Sequence, residues 1–236
     1  MATLPVRAQA YTHIVKLTLD AFRVAQQSSA AAAEGIATVS PAVLHIVSER
    51  ERELDTLDRD VDDLVTAAIN KSVDEEAREM LACLKFCLGL ERIGDLLLSF
   101  SNRAGTVGRQ LEEEDMRDLT RMASRLEHMI TDAELSWRER NLDRAVSVLR
   151  SDAEMDRLCN VVIFRHLEPA DGVRRGESFH VLFMAQELER AGDHVKNIAE
   201  EVCHLISGRS VRHVLRRYDR PVEQLFLDHL RRQEAK

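Results

Sequence analysis

Four pairs of acidic residues, with the members of each pair four positions apart, are the side chains of this sequence best placed to do chemistry. The pairs are Glu51 and Asp55, Glu91 and Asp95, Asp152 and Asp156, and Glu189 and Asp193. Residues four apart lie about 40° apart around an α-helix, so both carboxylates of a pair point the same way. If such a pair is partly buried, it destabilises the fold unless a cation compensates it.

Hard metal cations are the expected partners of these pairs, because such ions take oxygen ligands from several directions. A pair on one helix facing a pair on the next would supply four carboxylates. The sequence therefore predicts one cluster from the pairs at 51/55 and 91/95, and a second from the pairs at 152/156 and 189/193. Mg, Mn, Fe or another first-row divalent ion is favoured over a thiolate zinc, since the cysteines have no Cys-x-x-Cys spacing.

Two other interpretations of these carboxylates stay open. In one, they form a solvated face paired with Arg92 and Arg190 on a metal-free helical scaffold. Against it, Gly94 and Gly192 lie in mid-helix beside the pairs, where each glycine costs about 1 kcal/mol relative to alanine; this favours a close approach of another group. In the other, the chain is a carboxylate-bridged metal enzyme such as an oxidase. Di-iron bundles carry a Glu-x-x-His motif on each of two helices, an arrangement not found here.

Six long helices must position the carboxylates, because scarce glycine, proline and asparagine residues divide the chain into helical segments. The predicted segments are 5–35, 41–70, 74–102, 112–139, 142–167 and 175–206. Gly35 and Pro41 are expected to end the first helix, and Gly105 and Gly108 to mark a loop after the third. The segment 169–172 breaks the chain before the sixth helix, and a short Arg-rich segment interrupted by Pro221 follows Gly208.

An internal repeat organises these helices. The sixth segment has an apolar seam at helical spacing, formed by Val181, Met184, Leu188, Ala191, Val195, Ile198, Val202 and Leu205. The same seam occurs 98 positions earlier, from Cys83 to Val107, and the polar motif follows the same offset. The sequence predicts an all-α tandem duplication of a three-helix bundle: a first repeat at 1–108, a second at 109–208 and an Arg-rich helical tail at 209–236.

Composition narrows the function classes. The net charge of −8 is opposite to what a general nucleic-acid binder needs. Because the chain has no apolar run of about 18 residues and no signal-peptide pattern near Met1, a cytoplasmic location is expected. The cysteines are predicted to be buried thiols in a reducing compartment. No catalytic triad, glycine-rich phosphate loop or HExxH motif is recognisable, so the chain is not expected to be an enzyme.

At Glu91-Arg-Ile-Gly-Asp95 and Glu189-Arg-Ala-Gly-Asp193 the sequence resembles the PhoU family, regulators of bacterial and archaeal phosphate uptake. The upstream acidic pairs and the two-by-three helix order add to the resemblance, which covers about 11–208. It implies two three-helix bundles related by a pseudo-twofold axis, often in a homodimer. It also implies metal clusters on the surface carboxylates, with Fe, Mn, Mg, Ni or Zn as the ion. The family often has an amide or basic residue one turn after the motif; this chain has Asn197 in the second copy but Ser99 in the first, so the first cluster is expected to be coordinated differently.

The resemblance further implies a role and partners. PhoU-like proteins connect the ATP-binding subunit of a phosphate ABC transporter with a sensor histidine kinase. They repress the phosphate-starvation response when phosphate is plentiful. Such a protein meets the membrane only through its partners, and nucleic acid is not among them.

Overall fold

The computed structural model describes residues 6–167 and 177–208, all within or between helices. The helices are α1 (Val6–Thr38), α2 (Pro41–Ala68), α3 (Asp74–Val107), α4 (Glu113–Arg138), α5 (Leu142–Leu167) and α6 (Ser178–Ser207). Short 3₁₀ turns follow α2 at Ile69–Lys71 and α3 at Gly108–Gln110. The predicted all-α class is confirmed. The break at 169–172 and the tail at 209–236 lie outside the described residues.

Local capping explains several helix ends. The Ser40 hydroxyl accepts a hydrogen bond from the Val43 amide at 3.4 Å, and Pro41 follows as the first residue of α2, a favoured position for proline. Gly208 ends α6 with a φ of 72°, in the left-handed conformation that glycine adopts most easily. Asn141, between the predicted segments 112–139 and 142–167, accepts a hydrogen bond from the Arg144 amide and so caps the start of α5.

Two predicted helix ends are wrong, and both involve glycine. The helix α1 continues through Gly35 to Thr38. The glycine is there for close packing and does not end the helix, since a Cβ at Gly35 would lie 2.6 Å from Leu44 Cδ2. The helix α3 continues past residue 102 and through Gly105 to Val107. Only Gly108, with a φ of 54°, ends it. Gly35 therefore allows α2 to approach α1 closely, whereas Gly105 has no neighbour within 4 Å of a Cβ and is simply tolerated in the helix.

The helices form two three-helix bundles that share one core. In the first bundle α1, α2 and α3 pack on one another; in the second α4, α5 and α6 do so. The bundles join where α3 packs on α6 and α1 packs on α4. Both predicted seams are buried, with Leu205 the partly exposed exception. Because the core is continuous across the two halves, the boundary at 108 stays a prediction.

The contact between α3 and α6 follows the repeat. Lys85 on α3 pairs with Glu201 on α6 at 2.7 Å. The positions 98 residues away bring Phe183 on α6 against Arg103 on α3, with the guanidinium 4.5 Å from the ring centroid. Equivalent positions thus meet twice, in reversed order, as in an antiparallel pair of repeated helices. Each of these two helices carries one copy of the motif, so the motif carboxylates of α3 lie on the first bundle and those of α6 on the second.

No helix in 6–167 or 177–208 is long and apolar enough to cross a membrane. All four cysteines are buried as free thiols, as predicted. Burial raises the pKa of the Cys83 thiol to about 12, so it stays protonated at neutral pH and is a poor nucleophile.

Candidate functional site

The first carboxylate cluster lies where α2 packs against α3. Gly94 allows this approach: a Cβ at that position would lie 2.7 Å from Leu54 Cδ1 and 3.8 Å from the Cα of Glu51. The glycine therefore sits directly beside the helix that carries the other acidic pair. This close approach is the physical reason for a glycine in the middle of α3.

The four predicted carboxylates of this cluster interact with one another. Burial raises the pKa of Glu51, and the charges of Asp55 and Asp95 raise it further. Burial also raises the pKa of Glu91, with Asp95 as its strongest carboxylate neighbour. Glu51 and Glu91 are thus easier to protonate than isolated glutamates, because their charged forms are partly buried and lie among like charges. Equally, the charged cluster is stabilised by any cation that reaches it.

A fifth carboxylate, Asp58, belongs to the same cluster and was not selected from the sequence. Its pKa is raised by burial and by the neighbouring charges of Asp62 and Asp55, and it also acts on Glu91. Asp58 lies three residues after Asp55, on the same face of α2. Asp58 and Asp62 are themselves four positions apart, but this pair was not among the predicted ligands because the second repeat has Cys159 and Ile163 in its place.

Arginine compensates the first cluster only at its rim. Arg92 lies 3.4 Å from Glu91 Oε2 and 3.3 Å from Asp95 Oδ2, and its side chain is 55% exposed. Exposed pairs of this kind contribute at most about 1 kcal/mol. Glu91 Oε2 is itself buried and has no hydrogen-bond partner. An all-oxygen donor set with an unsatisfied buried oxygen suits a hard cation, so these residues fit the predicted metal.

The second cluster is built the same way from α5 and α6, with looser packing at its glycine. A Cβ at Gly192 would lie 3.4 Å from Met155 Cγ and 3.8 Å from Met129 Cε, which are ordinary contacts. Burial raises the pKa of Glu189, and the charges of Asp193, Asp156 and Asp152 raise it further. The four predicted residues of the second cluster are therefore also brought together.

A lysine that the sequence reasoning passed over lies within the second cluster. Lys196 donates a short hydrogen bond to Asp152, and its Nζ lies 3.7 Å from Asp193. Burial lowers the pKa of Lys196, but the hydrogen bond and charge of Asp152 outweigh this effect and raise it. The ammonium group is therefore held charged among the carboxylates. A like charge at this position does not fit a metal ion in the same place.

Across 6–167 and 177–208, no three His, Cys, Asp or Glu side chains stand in a geometry that could hold a metal ion. Arg92 pairs with Asp95 in the first cluster, and Lys196 pairs with Asp152 in the second. The two metal clusters therefore stay a prediction, better supported at the first site than at the second.

A groove of about 720 Å³ lies beside the first cluster, between α3 and α6. Its lining includes Arg92, His194 and Asn197. The groove opens at Gly89, the position at which the repeat has Glu187 in the second copy. There the Glu187 carboxylate accepts hydrogen bonds from Ser99 at 2.5 Å and from Arg103 at 2.8 Å. The two sides of the α3–α6 contact are therefore unlike despite the repeat.

A histidine, a serine and an aspartate from three helix ends also come together. His166 Nδ1 lies 3.0 Å from Ser178 Oγ, and its Nε2 lies 3.0 Å from Asp115 Oδ1. Asp115 also accepts a hydrogen bond from Arg165 at 2.7 Å, and both Ser178 and Asp115 are buried. These contacts tie the starts of α4 and α6 to the end of α5, which is a structural role.

Comparison with known proteins agrees with the repeat. The family model of the PhoU domain matches residues 15–104 and again 119–202. A phosphate-specific transport system accessory protein PhoU homolog of Caulobacter vibrioides is 28% identical over 210 residues, covering 84% of this chain and 90% of that protein. The corresponding homolog of Clostridium acetobutylicum is 23% identical over 171 residues, covering 70% and 78%.

Solved structures show the same fold. The crystal structure of PhoU from Pseudomonas aeruginosa superposes with a TM-score of 0.78 at 20% identity, covering 86% of this chain and 99% of that one. The phosphate transport system regulatory protein PhoU from Streptococcus pneumoniae gives a TM-score of 0.77 at 15% identity, covering 87% and 99%. At these identities the likeness concerns the fold alone.

Proposed function

The chain belongs to the PhoU family, and from this premise we propose that it is an accessory protein of phosphate transport that represses the phosphate-starvation response when phosphate is plentiful. The observation that carries the proposal is the double match to the PhoU domain. The matched segments contain both copies of the Glu-Arg-x-Gly-Asp motif and all four acidic pairs. The curated relatives with this match are named as accessory proteins of a phosphate-specific transport system.

The proposed partners are proteins. The ATP-binding subunit of a phosphate ABC transporter is the first: the names of the relatives support association with a phosphate transport system, and the choice of this subunit rests on the family resemblance. A sensor histidine kinase and a second copy of the chain are the others, which rest on the family resemblance. These partners would place the protein at the cytoplasmic side of the membrane without inserting it. In this role the chain regulates other proteins and is not itself an enzyme.

The first carboxylate cluster is the proposed metal site of this regulator. Glu51, Asp55, Glu91 and Asp95 would hold the ion, and the unsatisfied Glu91 oxygen is the feature that best supports it. A bound Fe, Mn, Mg, Ni or Zn ion would supply positive charge on an otherwise acidic surface, where an acidic or phosphate-bearing partner could be recognised. The packing of α2 against α3 at Gly94 would orient these carboxylates toward the ion. At the second cluster Lys196 already lies among the carboxylates.

Deletion of the gene from its host tests the regulatory role. Cells without the gene, grown in abundant phosphate, are expected to show high alkaline phosphatase activity, because repression of the starvation response is lost. The wild-type gene supplied in trans should restore low activity. A variant with Glu91→Gln and Asp95→Asn should restore it poorly if the first cluster takes part. Unchanged low activity in the deletion strain would contradict the repressor role.

A further inference from the structure

We propose that Lys196 serves as a built-in cation of the second carboxylate cluster, so that the chain takes a metal ion at the first cluster and not at the second. This inference rests on the proposed metal site of the first cluster and adds an asymmetry that the sequence repeat does not predict. The repeat alone implies two equivalent sites. The contacts of Lys196 make them unlike.

The position of Lys196 among the carboxylates is the first observation. Its Nζ is hydrogen-bonded to Asp152, whose side chain is only 7% exposed, and lies 3.7 Å from Asp193. The Lys196 side chain is itself 35% exposed, so its stem is largely packed and its ammonium faces the cluster. A buried carboxylate left without its cation is strongly unfavourable. A metal ion entering this cluster would have to break the pair or lie beside a like charge.

The repeat supplies the second observation, because it identifies the residue at the same place in the first cluster. The residue 98 positions before Lys196 is Leu98, which carries no charge. The cation nearest the first cluster is Arg92, which is more than half exposed at its rim and leaves Glu91 Oε2 without a hydrogen bond. The first cluster is therefore paired with exposed arginines at its rim, Arg92 beside Glu91 and Arg59 at 4.0 Å from Asp55, whereas the second has a lysine hydrogen-bonded to its most buried carboxylate.

The first cluster also has more carboxylates than the second, which again favours a cation at the first. The first cluster includes Asp58, with Asp62 one turn further along α2. At the equivalent positions of α5, 101 residues later, the chain has Cys159 and Ile163. Cys159 is a buried free thiol and Ile163 is apolar, so neither position adds a carboxylate. The second cluster thus has less negative charge and a cation already within it.

Binding of Mn²⁺ to the purified full chain tests the inference. Titration calorimetry and electron paramagnetic resonance of free Mn²⁺ would be measured on the wild type, Lys196→Met, Glu91→Gln with Asp95→Asn, and Asp193→Asn. The wild type is expected to bind Mn²⁺. The variant Glu91→Gln with Asp95→Asn should not bind it, and Asp193→Asn should bind it like the wild type. The Lys196→Met chain is expected to bind about twice as much Mn²⁺ as the wild type, because its second cluster lacks the cation. Lys196→Arg, which keeps the charge, is the matched control and should bind like the wild type.

The outcomes separate this inference from the proposed metal function. If the wild type binds no Mn²⁺ but Lys196→Met does, the metal role of the first cluster fails while the role of Lys196 stands. If Asp193→Asn removes Mn²⁺ from the wild type, the second cluster takes metal and the inference is overturned. Should Lys196→Met fail to fold, acetylation of Lys196 in the wild type can be followed by mass spectrometry. Labelling that stays unchanged at saturating Mn²⁺ supports the inference, and labelling that rises shows displacement by the metal and overturns it.

Discussion

Lys196 on α6 donates a hydrogen bond to Asp152 on α5 across 44 positions of sequence, at the centre of the second carboxylate cluster. Replacing Lys196 by Met leaves Asp152 buried beside three other carboxylates without a cation. We expect a loss of about 3 kcal/mol in the free energy of unfolding in metal-free buffer, measured by urea denaturation. Lys196→Arg should lose much less, and adding Asp152→Asn to Lys196→Met should recover most of the loss. Equal stability of Lys196→Met and wild type would show that the pair does not compensate Asp152.

The stability of the metal-free protein should depend on pH through the first cluster. The pKa values of Glu51, Asp58 and Glu91 are raised first by burial and then by neighbouring carboxylates. The folded state therefore holds protons more tightly than the unfolded state, so stability falls as pH rises from the ordinary values, 3.8 for Asp58 and 4.5 for the two glutamates, through the raised values. Urea midpoints measured between acidic and neutral pH should decrease over this range.

The variant Glu91→Gln should reduce that dependence. It removes one of the repelling charges, so at neutral pH it is expected to stabilise the metal-free protein by about 0.5 kcal/mol. Glu49→Gln, at an exposed position of α2, is the matched control and should leave the pH profile unchanged. A steeper profile in Glu91→Gln than in the wild type would contradict the assignment of Glu91 to the cluster.

The two motif glycines should respond differently to alanine. At Gly94 a Cβ would lie 2.7 Å from the buried Leu54, so overpacking should outweigh the helix propensity gain and destabilise the protein by about 1 kcal/mol. At Gly192 the neighbouring Met side chains lie at 3.4 Å or more, so Gly192→Ala should stabilise by up to about 1 kcal/mol. Gly105→Ala, with nothing within 4 Å, measures the propensity gain alone. Thermal or urea unfolding of the three variants checks the order, and a Gly94→Ala protein as stable as Gly105→Ala would refute the close α2–α3 approach.

The single tryptophan reports on the contact between the bundles. The Trp137 indole on α4 donates a hydrogen bond at 2.6 Å to the buried Glu79 on α3, and it packs against Phe22 and Phe86. Glu79→Ala removes this acceptor and a partner of Arg140, so a loss of about 2 kcal/mol in stability is expected. Tryptophan fluorescence should move to longer wavelength at lower urea concentration than in the wild type. Glu75→Ala, at an exposed position near the start of α3, is the control and should behave like the wild type.

The sequence was most informative where a pattern repeats along one helix. The seam from Cys83 to Val107 and its copy from Val181 are buried as predicted, because helical spacing alone decides which residues share a face. The acidic pairs follow the same rule, and the structure brings them together in the expected two sets. Glycine was less informative. Gly35 and Gly105 both lie within helices, since the sequence does not show whether a glycine ends a helix or admits a neighbour.

Contacts between helices were the part that sequence reasoning could not supply. Lys196 is three residues from Asp193, but its main partner Asp152 is on another helix, and only the packing of α5 on α6 determines that pairing. The contact of His166 with Ser178 and Asp115 likewise depends on how three helix ends meet. Such long side chains reach several neighbours, so their partners follow from tertiary structure.

Uptake of radiolabelled phosphate tests the proposed function most directly. The initial uptake rate would be measured in the wild-type host, the gene-deletion strain and the complemented strain after growth in abundant phosphate. High uptake in the deletion strain, returned to the wild-type rate by the gene, is the predicted result for a regulator that restrains phosphate transport. Equal uptake in all three strains, with an unchanged starvation response, would contradict it.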